Sequence, residues 1–374
     1  MSATGDNHIP KNGILLFSGG WTIGGVEKVT VTLSNEFVRR GRSVVIAFFT
    51  LQDDTLLSQL DSRVIVTSLS GGSRYANRKA LRLLVKDNGI RYILDAFHCP
   101  IFLRWSCMGL GVKIIRYHHN KPDTNGHIKS ARNWISRTLW RVLTRFVVRL
   151  DYWLDDAYVI LSESFRKPFI RFTGIHNPNK LYVVNNPLTI DTNLFDEKKN
   201  VVLYCGRLDE TQKCVSRIFE VWKLVFGDLP GWRLEIVGDG PDREWYEDLA
   251  KNIPGVTFVG FQDPGPYYAK AKLLLMASDF EGWPLVLLES MHHGCVPIVL
   301  GSYEAVYDVI TNEKNGMVVP VPFDAKLFAL VVKMLAVDAE VLSRMSFHAQ
   351  QTSLSFTAES VVDKWEMILH SVER

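Results

Sequence analysis

Strand-length apolar runs alternate with longer amphipathic stretches from one end of this 374-residue chain to the other, and that alternation admits few folds. Short continuous apolar runs suit strands buried on both faces, while the stretches between them carry the spacing of helices with one apolar side. The pattern therefore predicts parallel sheets wrapped by helices. In the first half the strands are expected at 14–17, 43–49, 64–68, 92–94, 112–116, 157–161 and 181–184. In the second they are expected at 201–205, 232–237, 256–259, 273–276, 296–299 and 316–319. Between the halves, Asn185-Asn186-Pro187 and the polar stretch 191–200 interrupt the pattern with turn formers and mixed charge, as a linker does. The expectation is two Rossmann-like, doubly wound α/β domains, 1–190 and 191–355. A last helix over 356–374 would gather Val361, Val362, Trp365, Ile368 and Leu369 on one side and pack on the first domain. Length agrees, being two to three times a typical domain of about 100–150 residues.

Composition narrows the class. With 47% hydrophobic and 22% charged residues the chain is of ordinary globular type, which excludes a disordered or fibrous one. Cys99, Cys107, Cys205, Cys214 and Cys295 are scattered without CxxC spacing, fitting a reducing compartment better than a disulfide framework or a zinc site. No apolar h-region follows the amino terminus and no run has the 18 or so apolar residues of a spanning helix, so a cytoplasmic location is expected. Net charge is only +3, but it is unevenly placed. Residues 1–190 hold 26 Lys and Arg against 13 Asp and Glu, whereas 191–374 hold 17 against 27. The first half is suited to meeting anions, the inner face of the cytoplasmic membrane among them.

The densest cluster of chemistry-bearing residues is Asp279-Phe-Glu281-Gly282-Trp283-Pro284-Leu285, with Glu289 further on. Pro284 suits a first helical turn and Gly294 a stop, so a helix is expected over about 284–293, after the strand at 273–276. Its amino end would lie at the carboxyl edge of the sheet, where free N–H groups attract phosphate. Glu289 would accept hydrogen bonds from vicinal hydroxyls of a ribose and Glu281 from those of a second sugar; an acidic helix entry with one solvated glutamate is the plain alternative. Arg207 and Lys213, just after the strand at 201–205, are placed to neutralise a diphosphate, although exposed basic pairs are common. Gly238-Asp-Gly-Pro241 reads first as a tight turn and only weakly as a phosphate loop.

In the first half, Gly19-Gly20 and Gly24-Gly25 make a glycine loop at the first βα turn, without the GxGxxG spacing or the acidic residue of a dinucleotide site. His118 and His119 end the strand at 112–116; adjacent strand residues face opposite ways, so one of the two can enter a site and the pair cannot share a metal. Residues 129–149 set Arg137, Arg141, Arg145 and Arg149 at intervals of four beside Trp140. Such a helix can rest on an anionic membrane or stand solvated; nucleic acid is not expected, because no recognition module accompanies the charge.

Together these residues resemble the retaining glycosyltransferases of family 4, with the two-Rossmann GT-B architecture in which the domains face each other across a cleft. The resemblance spans nearly the whole chain. It rests on Gly24-Gly25-Val-Glu27-Lys28, His119-Asn-Lys-Pro122, Asn185-Asn-Pro187, Gly206-Arg207, Lys213, Gly238-Asp-Gly-Pro241 and above all Glu281 and Glu289 with seven residues between them. It implies that Arg207 and Lys213 grip the diphosphate of a nucleotide sugar with no metal ion or other cofactor expected, and that Glu289 binds its ribose. Glu281, Gly282, Trp283, Pro284 and Leu285 would meet the transferred sugar and phosphate, with Gly238 beside them and Gly260 and Phe261 near the base. Gly24, Gly25 and His119 would approach from the first domain. The implied reaction moves a hexose from a UDP-sugar to a saccharide or lipid-linked saccharide with retention. A UDP-sugar epimerase and a catalytically silent nucleotide-sugar-binding protein are the competing readings.

Overall fold

The computed structural model describes residues 12–120, 134–190 and 196–373, with 134–137 described by their backbone alone. The first seven strands are β1 (Gly13–Trp21), β2 (Val44–Leu51), β3 (Ile65–Ser68), β4 (Ile90–Asp95), β5 (Lys113–His118), β6 (Ala157–Ile160) and β7 (Leu181–Val183). They form one parallel sheet in the order β3-β2-β1-β4-β5-β6-β7. Six more strands follow: β8 (Lys199–Cys205), β9 (Arg233–Val237), β10 (Val256–Gly260), β11 (Ala271–Met276), β12 (Val296–Leu300) and β13 (Met317–Val319). Their sheet runs β10-β9-β8-β11-β12-β13, and both sheets carry helices in the crossovers, which is the doubly wound α/β fold that the alternating sequence dictates.

Strand ends shift by a residue or two in several places, and β1 runs past its expected end at Phe17 for a physical reason. Ser18-Gly19-Gly20, which reads as a turn, continues β1 to Trp21, because Gly20 and Trp21 pair with Thr50 and Leu51 of β2 and so satisfy their backbone groups. A Cβ at Gly19 would come 1.9 Å from the Phe97 ring, so a side chain there would require that ring to move.

The chain divides into two compact units, one of residues 1–187 and 358–374, the other of 188–357. The first is held by a core that includes Leu15, Phe17, Val45, Ile93 and Ile114, the second by a larger one including Trp222, Phe219, Leu234, Ile298 and Phe328. The helix Ala358–Ser371 belongs to the first unit and buries Val361, Val362, Trp365, Ile368 and Leu369. Trp365 is fully buried and meets Tyr117 of β5 edge-on at 4.9 Å. Ion pairs line the same contact, Arg40 to Asp363 at 2.6 Å and Arg91 to Glu373 at 2.8 Å, but at an exposed surface these fix register more than they add stability.

The basic helix spans Trp134–Leu154; the part of the predicted stretch before 134, and the side chain of Arg137, lie outside the described residues. It buries Thr144, Val148, Asp151 and Tyr152 and leaves Arg141, Arg145 and Arg149 exposed. Leu139, Val142, Leu143 and Phe146 are exposed with them, Phe146 by 62%, while Trp140 is half-buried. Among the described residues no helix is long and apolar enough to cross a membrane.

Candidate active site

In the second unit, β8 and β11 are neighbours, and the loops leaving their carboxyl ends are laced together. The Asp279 N–H donates to the Gln212 carbonyl at 2.9 Å, and Arg217 donates to the Ala277 carbonyl at 2.9 Å and to the Asp279 carboxylate at 2.6 Å. This brings three of the anticipated residues into one network. Lys213 Nζ lies 2.6 Å from Glu281 Oε1, with the two side chains 18% and 7% exposed. Gln212 donates to Glu281 Oε2 at 3.4 Å and to the Phe280 carbonyl at 3.1 Å, and its own oxygen accepts from Arg207 at 3.3 Å. Arg207 is mostly exposed and also paired with Asp209 at 2.9 Å, which holds its guanidinium at the sheet edge while leaving donors free for a ligand.

Beside this network the helix Leu285–His292 begins one residue later than expected: Pro284 is its N-cap, with ψ 107°, rather than its first helical residue. The N-cap makes no side-chain hydrogen bond to the first turn; the Leu287 N–H donates to the Pro284 carbonyl at 3.1 Å, which leaves the N–H groups of Leu285 and Val286 for an anion. Trp283 is buried, its ring 5.4 Å from that of Phe356, and its indole N–H has no partner. Glu289, one turn in, is 2% exposed. Its carboxylate accepts from Thr189 Oγ1 at 2.6 Å and from the Tyr268 hydroxyl at 3.1 Å. Two of its lone-pair sites are thus already filled, and the others remain for further donors.

Gly238 shows why the turn after β9 is built of glycine. Its φ is +136°, and a Cβ there would come 1.9 Å from the Gly206 carbonyl oxygen. The two βα turns pack backbone to backbone, which keeps Arg207 at the edge; this close packing accounts for the glycine without invoking phosphate. Gly260 is buried at the end of β10, and Phe261 beside it is 60% exposed.

In the first unit, Gly24 caps the helix Gly25–Arg39, its carbonyl accepting from the Lys28 N–H at 3.1 Å. Glu27 in that first turn is buried; burial raises its carboxyl above the usual range, opposed by hydrogen bonds from the backbone N–H groups of Glu27 and Thr22. His118 and His119 do face opposite ways. His118 meets the Tyr158 hydroxyl at 3.1 Å and stacks on that ring, whereas His119 lies over Tyr117 with ring centroids 4.1 Å apart. Both His119 nitrogens are buried without a partner, and burial followed by the Arg116 charge pulls its pKa down to about 3, so the imidazole is neutral.

Sequence reasoning missed Gln212, Thr189 and Tyr268, whose residue types are too common to stand out, and it missed a buried charged cluster under the carboxyl edge of the first sheet. There Arg116, wholly buried, pairs with Asp95 at 2.8 Å and Asp151 at 3.4 Å, and Asp151 meets His98 Nδ1 at 2.6 Å. Asp155 lies nearby with both carboxylate oxygens unpartnered; burial, then the Asp95 charge, lifts its pKa to about 8.

Residues 23–192 match the family described as Glycosyltransferase Family 4, and residues 199–337 match Glycosyl transferases group 1. The chain is 25% identical over 369 residues to the Campylobacter jejuni GalNAc-alpha-(1->4)-GalNAc-alpha-(1->3)-diNAcBac-PP-undecaprenol alpha-1,4-N-acetyl-D-galactosaminyltransferase, covering 94% of this chain and 96% of that protein. Among solved structures it resembles Anabaena HepE in complex with UDP and glucose, with a TM-score of 0.76 at 16% identity over 96% of this chain and 100% of that one. It also resembles the apo form of the lipopolysaccharide outer core galactosyltransferase WaaB, with a TM-score of 0.71 at 19% identity over 96% of this chain and 99% of that one. With both sheets in the GT-B order and both halves matched, the chain belongs to the family 4, group 1 glycosyltransferases.

Proposed function

We propose that this glycosyltransferase moves a hexose from a UDP-sugar, with retention, to a hydroxyl of a lipopolysaccharide or lipid-linked saccharide at the inner face of the cytoplasmic membrane. The observation that carries the reading is the network joining Arg207, Gln212, Glu281 and Lys213 beside the open start of the helix Leu285–His292. Two cations and a helix amino terminus converge there with one carboxylate, as a sugar diphosphate requires. The relatives support the substrate class: one is named for an undecaprenol-linked acceptor, one for lipopolysaccharide core, and HepE was solved with UDP and glucose.

In the proposed mechanism Arg207, Lys213 and the first-turn N–H groups stabilise negative charge on the departing diphosphate, whose oxygen takes the proton of the incoming hydroxyl on the same face of the sugar. Such stabilisation by preorganised donors is usually the largest catalytic contribution. Glu289 holds the ribose, and Glu281 and the backbone at 282–283 orient the transferred sugar. The scheme uses no metal ion. Exposed Arg141, Arg145 and Arg149, with Leu139, Val142 and Phe146 among them, support peripheral contact with anionic lipid.

The test supplies UDP-glucose, UDP-galactose, UDP-GlcNAc and UDP-GalNAc with purified lipopolysaccharide core and with undecaprenyl-diphosphate-linked saccharides, and follows UDP release and the anomeric configuration of the product. An α-linked product from an α-donor with stoichiometric UDP is expected, in the presence of EDTA as well. An inverted product, or a sugar isomer formed without an acceptor, overturns the reading.

A further inference from the structure

The residue that stands apart in the first unit is His98. It lies three positions beyond the end of β4, at the carboxyl edge of the parallel sheet, where ligands of such sheets bind. Its φ is +59°, a left-handed conformation that costs a residue with a Cβ about 1 kcal/mol or more and persists only when the surroundings impose it. The backbone is held on either side by the Asp95 carboxylate, which accepts from the Phe97 N–H at 2.8 Å and the Cys99 N–H at 3.4 Å, and the side chain is held by Asp151. The Asp151 carboxylate is wholly buried, reaches across from the helix Trp134–Leu154 and meets His98 Nδ1 at 2.6 Å. Asp151 is fixed in turn by Arg116, and Arg116 by Asp95, so three fully buried charges end in one imidazole that keeps 35% of its side chain exposed. Buried charge of this kind is costly and weak as a source of stability, so its arrangement calls for another reason. An edge-on contact with the His118 ring, at 4.8 Å, fixes the imidazole plane from the other side.

The geometry points to His98 as the residue that receives a hydroxyl of the acceptor saccharide, with Asp151 as the positioning residue behind it. A carboxylate that accepts from Nδ1–H sets the tautomer and leaves a lone pair on Nε2, which has no protein partner among the described residues. A neutral nitrogen held this way is a hydrogen-bond acceptor for a sugar O–H, selecting hydroxyl-bearing over ether or methylated positions. Burial and the Arg116 charge both disfavour the imidazolium and so keep that lone pair available. This assignment rests on the proposed transferase reading, to which it adds that the acceptor binds the first unit, and concerns a residue that the diphosphate network does not touch.

Two measurements test it, using the full chain. Spectra of 15N-histidine-labelled protein, with the His98 signals identified by their loss in His98→Gln, should show a neutral ring protonated on Nδ1 at pH 7. A ring protonated on Nε2, or on both nitrogens, overturns the proposal whether or not an acceptor is in hand. In the transfer assay with lipopolysaccharide core or undecaprenyl-linked saccharide, His98→Ala should raise the acceptor KM about tenfold or more, as loss of one well-placed hydrogen bond does, and leave UDP affinity unchanged. Asn or Gln at the same position, offering an amide oxygen, should recover part of the loss. An unchanged acceptor KM, or an equal fall in UDP affinity, refutes the assignment. If the wild-type protein itself releases no UDP from any donor, the proposed transferase reading fails instead, and the tautomer measurement still decides the Asp151 and His98 pairing.

Discussion

Replacing Lys213 by alanine separates a charge that serves the reaction from a charge that only serves the fold. Lys213 Nζ sits 2.6 Å from Glu281 Oε1, and Glu281 is 8% exposed. Without the lysine that carboxylate keeps, among the described residues, only the weak Gln212 contact at 3.4 Å. Stripping the partner from a fully buried ion costs roughly 3–5 kcal/mol. Here the lysine end is partly open and water can follow it in, so a loss of about 1–3 kcal/mol of stability is expected. The kinetic loss has a different source: a cation missing from a developing phosphate charge costs about 2–4 kcal/mol of transition-state stabilisation, or roughly 30- to 1,000-fold in kcat/KM. The double variant Lys213→Ala with Glu281→Gln removes the stranded charge as well, so denaturant unfolding should return toward wild type while kcat/KM stays low. Steady-state UDP release and urea titration give the two readouts. Should the double variant regain both stability and a kcat/KM within threefold of Glu281→Gln alone, Lys213 merely neutralises its neighbour and the diphosphate assignment is wrong.

Glu289→Ala should weaken UDP binding in calorimetry, and it should also lower stability by about 1–3 kcal/mol, because the Thr189 and Tyr268 hydroxyls lose their acceptor. Asp155 predicts a pH signature. Its pKa rises from 3.8 to about 8, so between those values the folded state holds a proton that the unfolded state has released. Stability from this group is full below pH 4 and is lost as the pH climbs through 8, by several kcal/mol at most. Asp155→Asn should therefore flatten that decline in urea titrations at stepped pH, and an unaltered slope would place the carboxyl in a wetter setting. Trp365→Ala should cost about 3–5 kcal/mol in the unfolding of the first unit, as emptying a buried indole site does. A loss below 1 kcal/mol would mean the last helix is held by its exposed ion pairs instead.

Most strands were legible because they hold continuous apolar runs, as a parallel sheet demands of strands buried on both faces; β3, Ile65–Ser68, is largely exposed and rests on a weaker signal. The last helix was legible for the same kind of reason, since Val361, Val362, Trp365, Ile368 and Leu369 recur at helical spacing and are the residues it buries. β1 was misjudged at its end because two adjacent glycines signal a turn locally, whereas pairing with Thr50 and Leu51 decides the matter from across the sheet. Arg207, Lys213, Glu281 and Glu289 could be singled out because βα turns and helix starts mark the ligand edge. Their hydrogen-bond partners could not, being set by tertiary contacts as distant as Thr189 is from Glu289. His98 and Asp151 lie 53 residues apart, and nothing local in either segment announces that a histidine there turns left-handed to reach a buried carboxylate.

The route of the backbone has a consequence for how the molecule comes into being. It leaves the first unit after Pro187 and returns at Ala358, so the second unit is an insert within the first. A ribosome making this chain has delivered every strand of the inserted unit before the helix that covers Tyr117 exists, and the half begun first is the half completed last. Until residues 358–371 emerge, the apolar floor beneath Trp365 stays bare to solvent and to chaperones, which makes a premature stop or a bulky fusion near that helix a lesion of the opposite unit from the one adjoining it in sequence.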